Sequence, residues 1–193
     1  MTHFMMDLET TGTIAGCGLV SISIIAMDIN AGEPDDVFMD DGFYCVVNRD
    51  SCLDAMLHED AGTMAWWRKQ SAEARKALDA SFANEGDDLK EAVTLMTNYV
   101  GAHVSPRNAK VWGNGADFDN PIMRVAARQI GIELPWQWGN RCYRTIKNLH
   151  EILPVAIPPV TRSGTYHNAL DDAKTQALHF WDIISTLRNA LEQ

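Results

Sequence analysis

Nowhere in this sequence do apolar residues run long enough to cross a bilayer, which excludes a helical membrane span. The opening residues, Met1 to Thr10, show no basic stretch leading into an apolar segment, so no secretory signal is expected and a cytoplasmic location is. Cysteine is sparse and scattered. Cys17, Cys45, Cys52 and Cys142 form no Cys-x-x-Cys pair and do not cluster with histidine, which argues against structural zinc and for reduced, mostly buried thiols. Positive charge is scarce as well: Lys and Arg number 16 against 26 Asp and Glu, for a formal net charge of −10. An extended basic face that grips duplex nucleic acid is thereby excluded. Internal repeats and low-complexity tracts are missing too.

What is present is an ordinary globular complement of 193 residues, 46% of them hydrophobic, which reads as one domain over residues 1–193. His3–Leu8 reads as a short apolar strand that stops at an acidic, glycine-containing turn. Leu19–Ala26 is rich in β-branched residues and partly alternates, and Phe43–Val47 follows it as a third strand, so the three form an antiparallel meander. Thr63 is placed to cap a helix running through Trp66 and Trp67 to about Leu78. Asp87 or Asp88 opens another, with Leu89, Val93, Met96 and Val100 spaced for one buried face. Lys110–Trp112 is a fourth strand, and Asn120–Ile130 a helix with Pro121 in its first turn and Gly131 at its stop. Arg141–Thr145 is expected as the last strand and Ile146–Leu153 as a short helix. A proline- and glycine-bearing loop, Pro154–Gly164, then precedes the final helix, Ala169–Leu191. Strands followed by alternating helix and strand imply an α/β fold, a mixed sheet covered by helices.

Three separated segments carry the chemistry. In Asp7-Leu8-Glu9-Thr10-Thr11-Gly12 the two carboxylates are two residues apart, so on a strand they point to one face. Held together they repel unless a cation lies between them, and hard divalent ions with oxygen ligands meet that need. In Asn114-Gly115-Ala116-Asp117-Phe118-Asp119, Asp119 stands at the start of a helix where it can either reach a metal or cap the helix. Asp117 is its rival. In His167-Asn168-Ala169-Leu170-Asp171-Asp172, a five-residue offset within one regular helix would splay His167 and Asp172 apart. His167 must therefore sit in the preceding loop.

An acidic pair, then Asn-x-x-x-Phe-Asp, then His-x-x-x-x-Asp, in this order, resembles the histidine branch of the DEDD exonuclease superfamily (DEDDh). The resemblance spans nearly the whole chain. Trp66-Trp67 followed by Gln70, Ser71 and Glu73 is similar to the small exonucleases near bacteriophage exonuclease A and to mycobacterial exoribonucleases that prefer adenylate tails. The resemblance implies a ribonuclease H-like fold with a mixed five-stranded sheet. It also implies 3′-5′ hydrolysis of single-stranded ends to nucleoside 5′-monophosphates, and a homodimer. Asp7, Glu9, Asp119 and Asp172 would hold two Mg²⁺ ions, which Mn²⁺ can replace, and His167 would be the general base. Leu8, Thr10, Thr11, Gly12 and Phe118 would contact the terminal nucleotide.

The acidic balance fits such an enzyme if its footprint is small, because bound cations reverse the local field. Of Trp66 and Trp67, which face different ways on a helix, one is expected in the core; the other stacks a base or lies in a dimer interface. Arg124, Arg128, Arg141, Arg144, Lys147 and Arg162 concentrate positive charge in the second half, either guiding phosphate or forming a solvated face. DNA is slightly favoured over RNA as substrate. An exoribonuclease, or a non-catalytic subunit that binds a replication partner, is the alternative.

Overall fold

Alternation along β1 (His3–Thr10) sends Phe4, Met6 and Leu8 into one hydrophobic core and Met5 into another, on the opposite face of the sheet. The computed structural model describes residues 2–162 and 164–192. Its sheet has five strands in the order β3-β2-β1-β4-β5, with β2 at Leu19–Met27, β3 at Phe43–Val46, β4 at Lys110–Gly113 and β5 at Asn140–Cys142. β1, β2 and β3 are antiparallel neighbours, whereas β4 runs parallel to both β1 and β5. The sheet is therefore mixed, as expected. Every residue of β2 is buried, which its run of Ile and Val requires of a central strand covered on both sides.

On one face, the core joins β1 and β2 to α4 (Leu89–His103) and α5 (Asp119–Gln129) through Val93, Met96, Val100, Ile122 and Met123. On the other, α7 (Ala169–Leu191) packs Ala173, Ala177 and Phe180 on Met5, Ile25 and Trp112. The start of α7 is docked closely. The Ser23 hydroxyl donates to the Ala169 carbonyl at 2.7 Å and lies 3.1 Å from the Asp7 carbonyl, so one side chain of β2 touches both site-bearing segments. Gly42 has φ +86, and a Cβ there would meet Leu170 Cδ1 at 2.9 Å. Its absence lets α7 approach.

Three expected elements differ. The helix from Thr63 to Leu78 is two helices, α2 (Ala61–Trp67) and α3 (Ala72–Phe82). Asp60, not Thr63, caps the first by accepting from Thr63 N, and Ser71 caps the second by accepting from Ala74 N. The last strand ends at Cys142, and Tyr143–Lys147 forms a short helix, α6, where strand had been expected. Tyr143 on it is 2% exposed, and burial of that ring against α7 outweighs local strand preference. A further short helix, α1 (Arg49–Asp54), was not anticipated; Asn48 caps it by accepting from Ser51 N. No helix among the described residues is long and apolar enough to cross a membrane.

Candidate active site

The face of β1 that turns from the α4–α5 core carries Asp7 and Glu9 toward the first turn of α7. Asp172 projects from that turn. His167 stands just before it in a left-handed conformation, φ 62, and its backbone N–H donates to Asp172 Oδ2 at 3.0 Å. That turn brings the imidazole back over the cleft: ligand atoms of Glu9, His167 and Asp172 all lie within 4.8 Å of one another. Asp7, Glu9, His167 and Asp172 line one cleft of about 610 Å³, together with Leu8, Thr10, Gly12 and Phe118. Segments 160 residues apart in sequence thus meet as expected.

Asp119 is set deeper. It is 1% exposed, and its carboxylate accepts from Leu8 N at 3.2 Å and Asn114 N at 2.6 Å. Gly113 makes room for it, since a Cβ there would meet Asp119 Cβ at 2.8 Å. Asp117 is exposed and lines a neighbouring hollow, whereas Asp119 is buried near enough to Asp7 and Glu9 for its charge to act on both.

These carboxylates destabilise one another's charge. Burial, then the charges of Asp119, Glu9 and Asp172, raises Asp7 well above the usual carboxylate range, opposed by a hydrogen bond from Gln176. Burial and the charges of Asp172 and Asp119 raise Glu9 to about 8. Burial raises Asp119 to about 6, against the backbone N–H groups of Asn114 and Leu8. Arg162 reaches this group from the loop, pairing with Asp172 and with the Thr165 carbonyl, and its guanidinium lies 4.2 Å from the Tyr166 ring centre. It brings the loop before His167 against the cleft. The base of that loop is held by His179, whose Nε2 is 2.7 Å from the Pro158 carbonyl.

The donor set suits hard divalent cations. Four carboxylates and an imidazole converge, three of the carboxyls are pushed toward protonation by burial and, for Asp7 and Glu9, by their neighbours' charge, and two buried acceptors, Asn114 Oδ1 and Gln176 Oε1, have no hydrogen-bond partner. A stability test follows. Glu9 holds its proton more tightly folded, at about 8, than at its ordinary 4.5. Its contribution to the stability of metal-free protein is therefore complete below about 4.5 and is lost as pH rises through about 8. The increase in Tm produced by saturating Mg²⁺ should grow across that window, and a flat thermal shift would count against shared cations.

The remaining expected contacts divide. Trp67 is the core tryptophan, 1% exposed, with Nε1–H donating to the Thr10 carbonyl at 2.9 Å. Trp66 is 41% exposed, lines the cleft, and meets the His167 ring edge-on with centroids 4.9 Å apart. Phe118 is half-buried at the cleft wall, and the Thr10 hydroxyl donates to the Gly12 carbonyl at 2.6 Å. Leu8 lines the cleft but is 3% exposed and packs with Phe4 and Met6. Thr11 does not belong with them: it points away, with Oγ1 3.2 Å from the His58 carbonyl, and braces the turn. Plain alternation from Asp7 and Glu9 would bring Thr11 to their face, but the register shifts between Glu9 and Thr10 and β1 ends at Thr10, so the chain turns Thr11 away.

Sequence reasoning missed Gln176 and Asp60, and quoted Asn114 in a motif without giving it a role. Gln176 donates to Asp7 Oδ1 at 2.6 Å, Asn114 grips Asp119 through its backbone, and Asp60 lines the cleft at the start of α2. For Gln176 a signal existed, a polar residue one turn after Asp172 on the helix stripe that otherwise reads as core.

Fold and site together carry the DEDDh arrangement, four carboxylates and a histidine gathered at one mixed sheet. More narrowly, the chain belongs to the family of the 3′-5′ exoribonuclease Rv2179c-like domain, which residues 2–184 match. A curated relative, an exodeoxyribonuclease of Enterobacteria phage T4, is 29% identical over 138 residues, covering 67% of this chain and 57% of the relative. The match therefore spans little more than half of that relative's length. The nuclease domain of 3'hExo, a DEDDh family member bound to rAMP, superposes with a TM-score of 0.62 at 10% identity, covering 99% of this chain and 94% of that one. Exonuclease I of E. coli, in complex with a dT13 oligonucleotide, gives 0.63 at 12% identity over 98% of this chain and 42% of that chain. At such identities these structures establish the fold, ribonuclease H-like as expected.

Proposed function

We propose that the protein removes nucleoside 5′-monophosphates from single-stranded 3′ ends with Mg²⁺ as cofactor, acting as one exonuclease domain over residues 1–193. The convergence of Glu9, His167 and Asp172 within 4.8 Å, beside Asp7, is the observation that supports this reading most. Asp7, Glu9, Asp119 and Asp172 would hold two ions. Bound there, such ions lower the pKa of water and neutralise charge on the leaving oxygen. His167 accepts the proton of the attacking water at its imidazole. Trp66 and Phe118 offer ring surface to the terminal base, an attraction that any base satisfies.

From the cleft, a strand has a continuous way out. Thr13 and Phe118 are shared with a second hollow of about 550 Å³, where Arg144 lies among Asp117, Thr145, Asn148 and Glu151. The Arg144 guanidinium donates to the Asn114 carbonyl at 2.7 Å, which holds a positive charge at the junction. In this reading it receives the phosphate on the 5′ side of the scissile bond, and Arg144→Ala should raise KM for a tetranucleotide about tenfold. The increase should be smaller on a nitrophenyl ester of thymidine 5′-monophosphate, which lacks that phosphate; equal losses on both would remove the hollow from the path.

DNA is the favoured substrate, in keeping with the phage relative. RNA is the second reading, favoured by the family match to an exoribonuclease domain. Digestion of matched DNA and RNA oligomers, one with an adenylate tail, each with Mg²⁺ and with excess chelator, decides between them. Release of no mononucleotide in the presence of metal would instead support a non-catalytic binding subunit. A homodimer is part of the proposal, and sedimentation of the purified protein tests it.

A further inference from the structure

Gln176 occupies an improbable place for an amide. It lies four residues beyond Asp172 on α7, one helical turn along the same side, and is flanked on the helix by the core residues Ala173, Ala177 and Phe180. The side chain is 8% exposed and lines the cleft. Its Nε2–H donates to Asp7 Oδ1 at 2.6 Å, while its Oε1 is buried with no hydrogen-bond partner. An apolar residue of similar size would pack against α7's neighbours without leaving a buried carbonyl unsatisfied, so the amide costs stability where it stands.

Its chemistry suits one task. A carboxylate on a strand rotates freely about its last bond, and either oxygen can meet a cation. An N–H donor engages one oxygen and leaves the other. A lysine or arginine would do the same while competing with the cation for the charge, and a glutamate would add a further negative group to four already crowded. The neutral amide does neither. Resting on the metal-site reading above, we propose that Gln176 is a positioning residue. It commits Asp7 Oδ1 to its own N–H, presents Oδ2 to the divalent ions, and so sets the affinity of the site for them.

The test is calorimetric titration with Mn²⁺, without nucleic acid, of the full chain and of Gln176→Leu, Gln176→Asn and Asp7→Asn. Gln176→Leu should weaken Mn²⁺ binding about tenfold or more, the range for a group that orients a metal ligand. Its Tm in chelator should be unchanged or higher, because the unsatisfied carbonyl is gone. Gln176→Asn keeps the amide but is one methylene short of Asp7 and should weaken binding similarly, which covers the case in which the leucine variant fails to fold. The Mn²⁺ midpoint for strand hydrolysis should move upward by the same factor. Wild-type Mn²⁺ affinity in both Gln176 variants, with Asp7→Asn clearly weakened, would overturn the positioning role and leave the metal site standing. Wild-type protein that binds no Mn²⁺, with Asp7→Asn no different, would overturn both.

Discussion

Asp7→Asn should reduce strand hydrolysis about 10³-fold or more, since the charge stabilisation supplied by a held cation is several kcal/mol and each 1.4 kcal/mol is about tenfold. Asp7 is the carboxylate whose charge is opposed by all three of the others, Asp119, Glu9 and Asp172. Removing its charge lowers that repulsion, so the variant should be at least as stable as wild type when metal is absent. It should also lose most of the thermal shift given by Mg²⁺. Opposite signs for activity and metal-free stability distinguish a ligand from a structural carboxylate. A variant that is less stable in chelator and still trims strands would end the reading.

The second large effect is at His167. Replacing it by alanine should lower kcat by about 10²–10⁴-fold, the range for a general acid–base group. Its φ of 62 adds a separate signature. Non-glycine residues hold the left-handed region at a cost of roughly 1 kcal/mol, and this one is retained where its N–H bonds Asp172 and its ring meets Trp66. His167→Gly should be as inactive as His167→Ala but more stable than it by a fraction of that amount. Matched thermal melts of the two variants in chelator check the difference. Equal activity of His167→Ala and wild type would remove the imidazole from the chemistry.

How much of this was legible beforehand depended on distance in sequence. Asp7 and Glu9 were readable because a strand's alternation alone places them together, and Ala169–Leu191 because its apolar stripe recurs at helical spacing. The break between α2 and α3 was hidden, since Arg68 to Gln70 contain no glycine or proline; Ser71 gives the only local sign by capping the second helix. The end of β5 at Cys142 was equally invisible, because burial of Tyr143 beneath α7 is a tertiary effect. At the site, a motif locates the ligands but not their supports. Gln176 touches a residue 169 positions away: a polar side chain on an apolar stripe marks the residue, but nothing local names its partner. The turning away of Thr11 was not recoverable, because alternation alone would set it beside Asp7 and Glu9 and the register shift after Glu9 has no local sign.

Ser23 gives the site a mechanical property. Through one hydroxyl, a strand buried along its whole length is fastened to the residue opening α7 and lies against the backbone of Asp7. The strand bearing Asp7 and Glu9 and the helix bearing Asp172 are therefore tied to the same residue of β2. Backbone amides of β1 should accordingly exchange with deuterium only when the whole molecule opens, and trimming should persist on heating until the fold itself is lost.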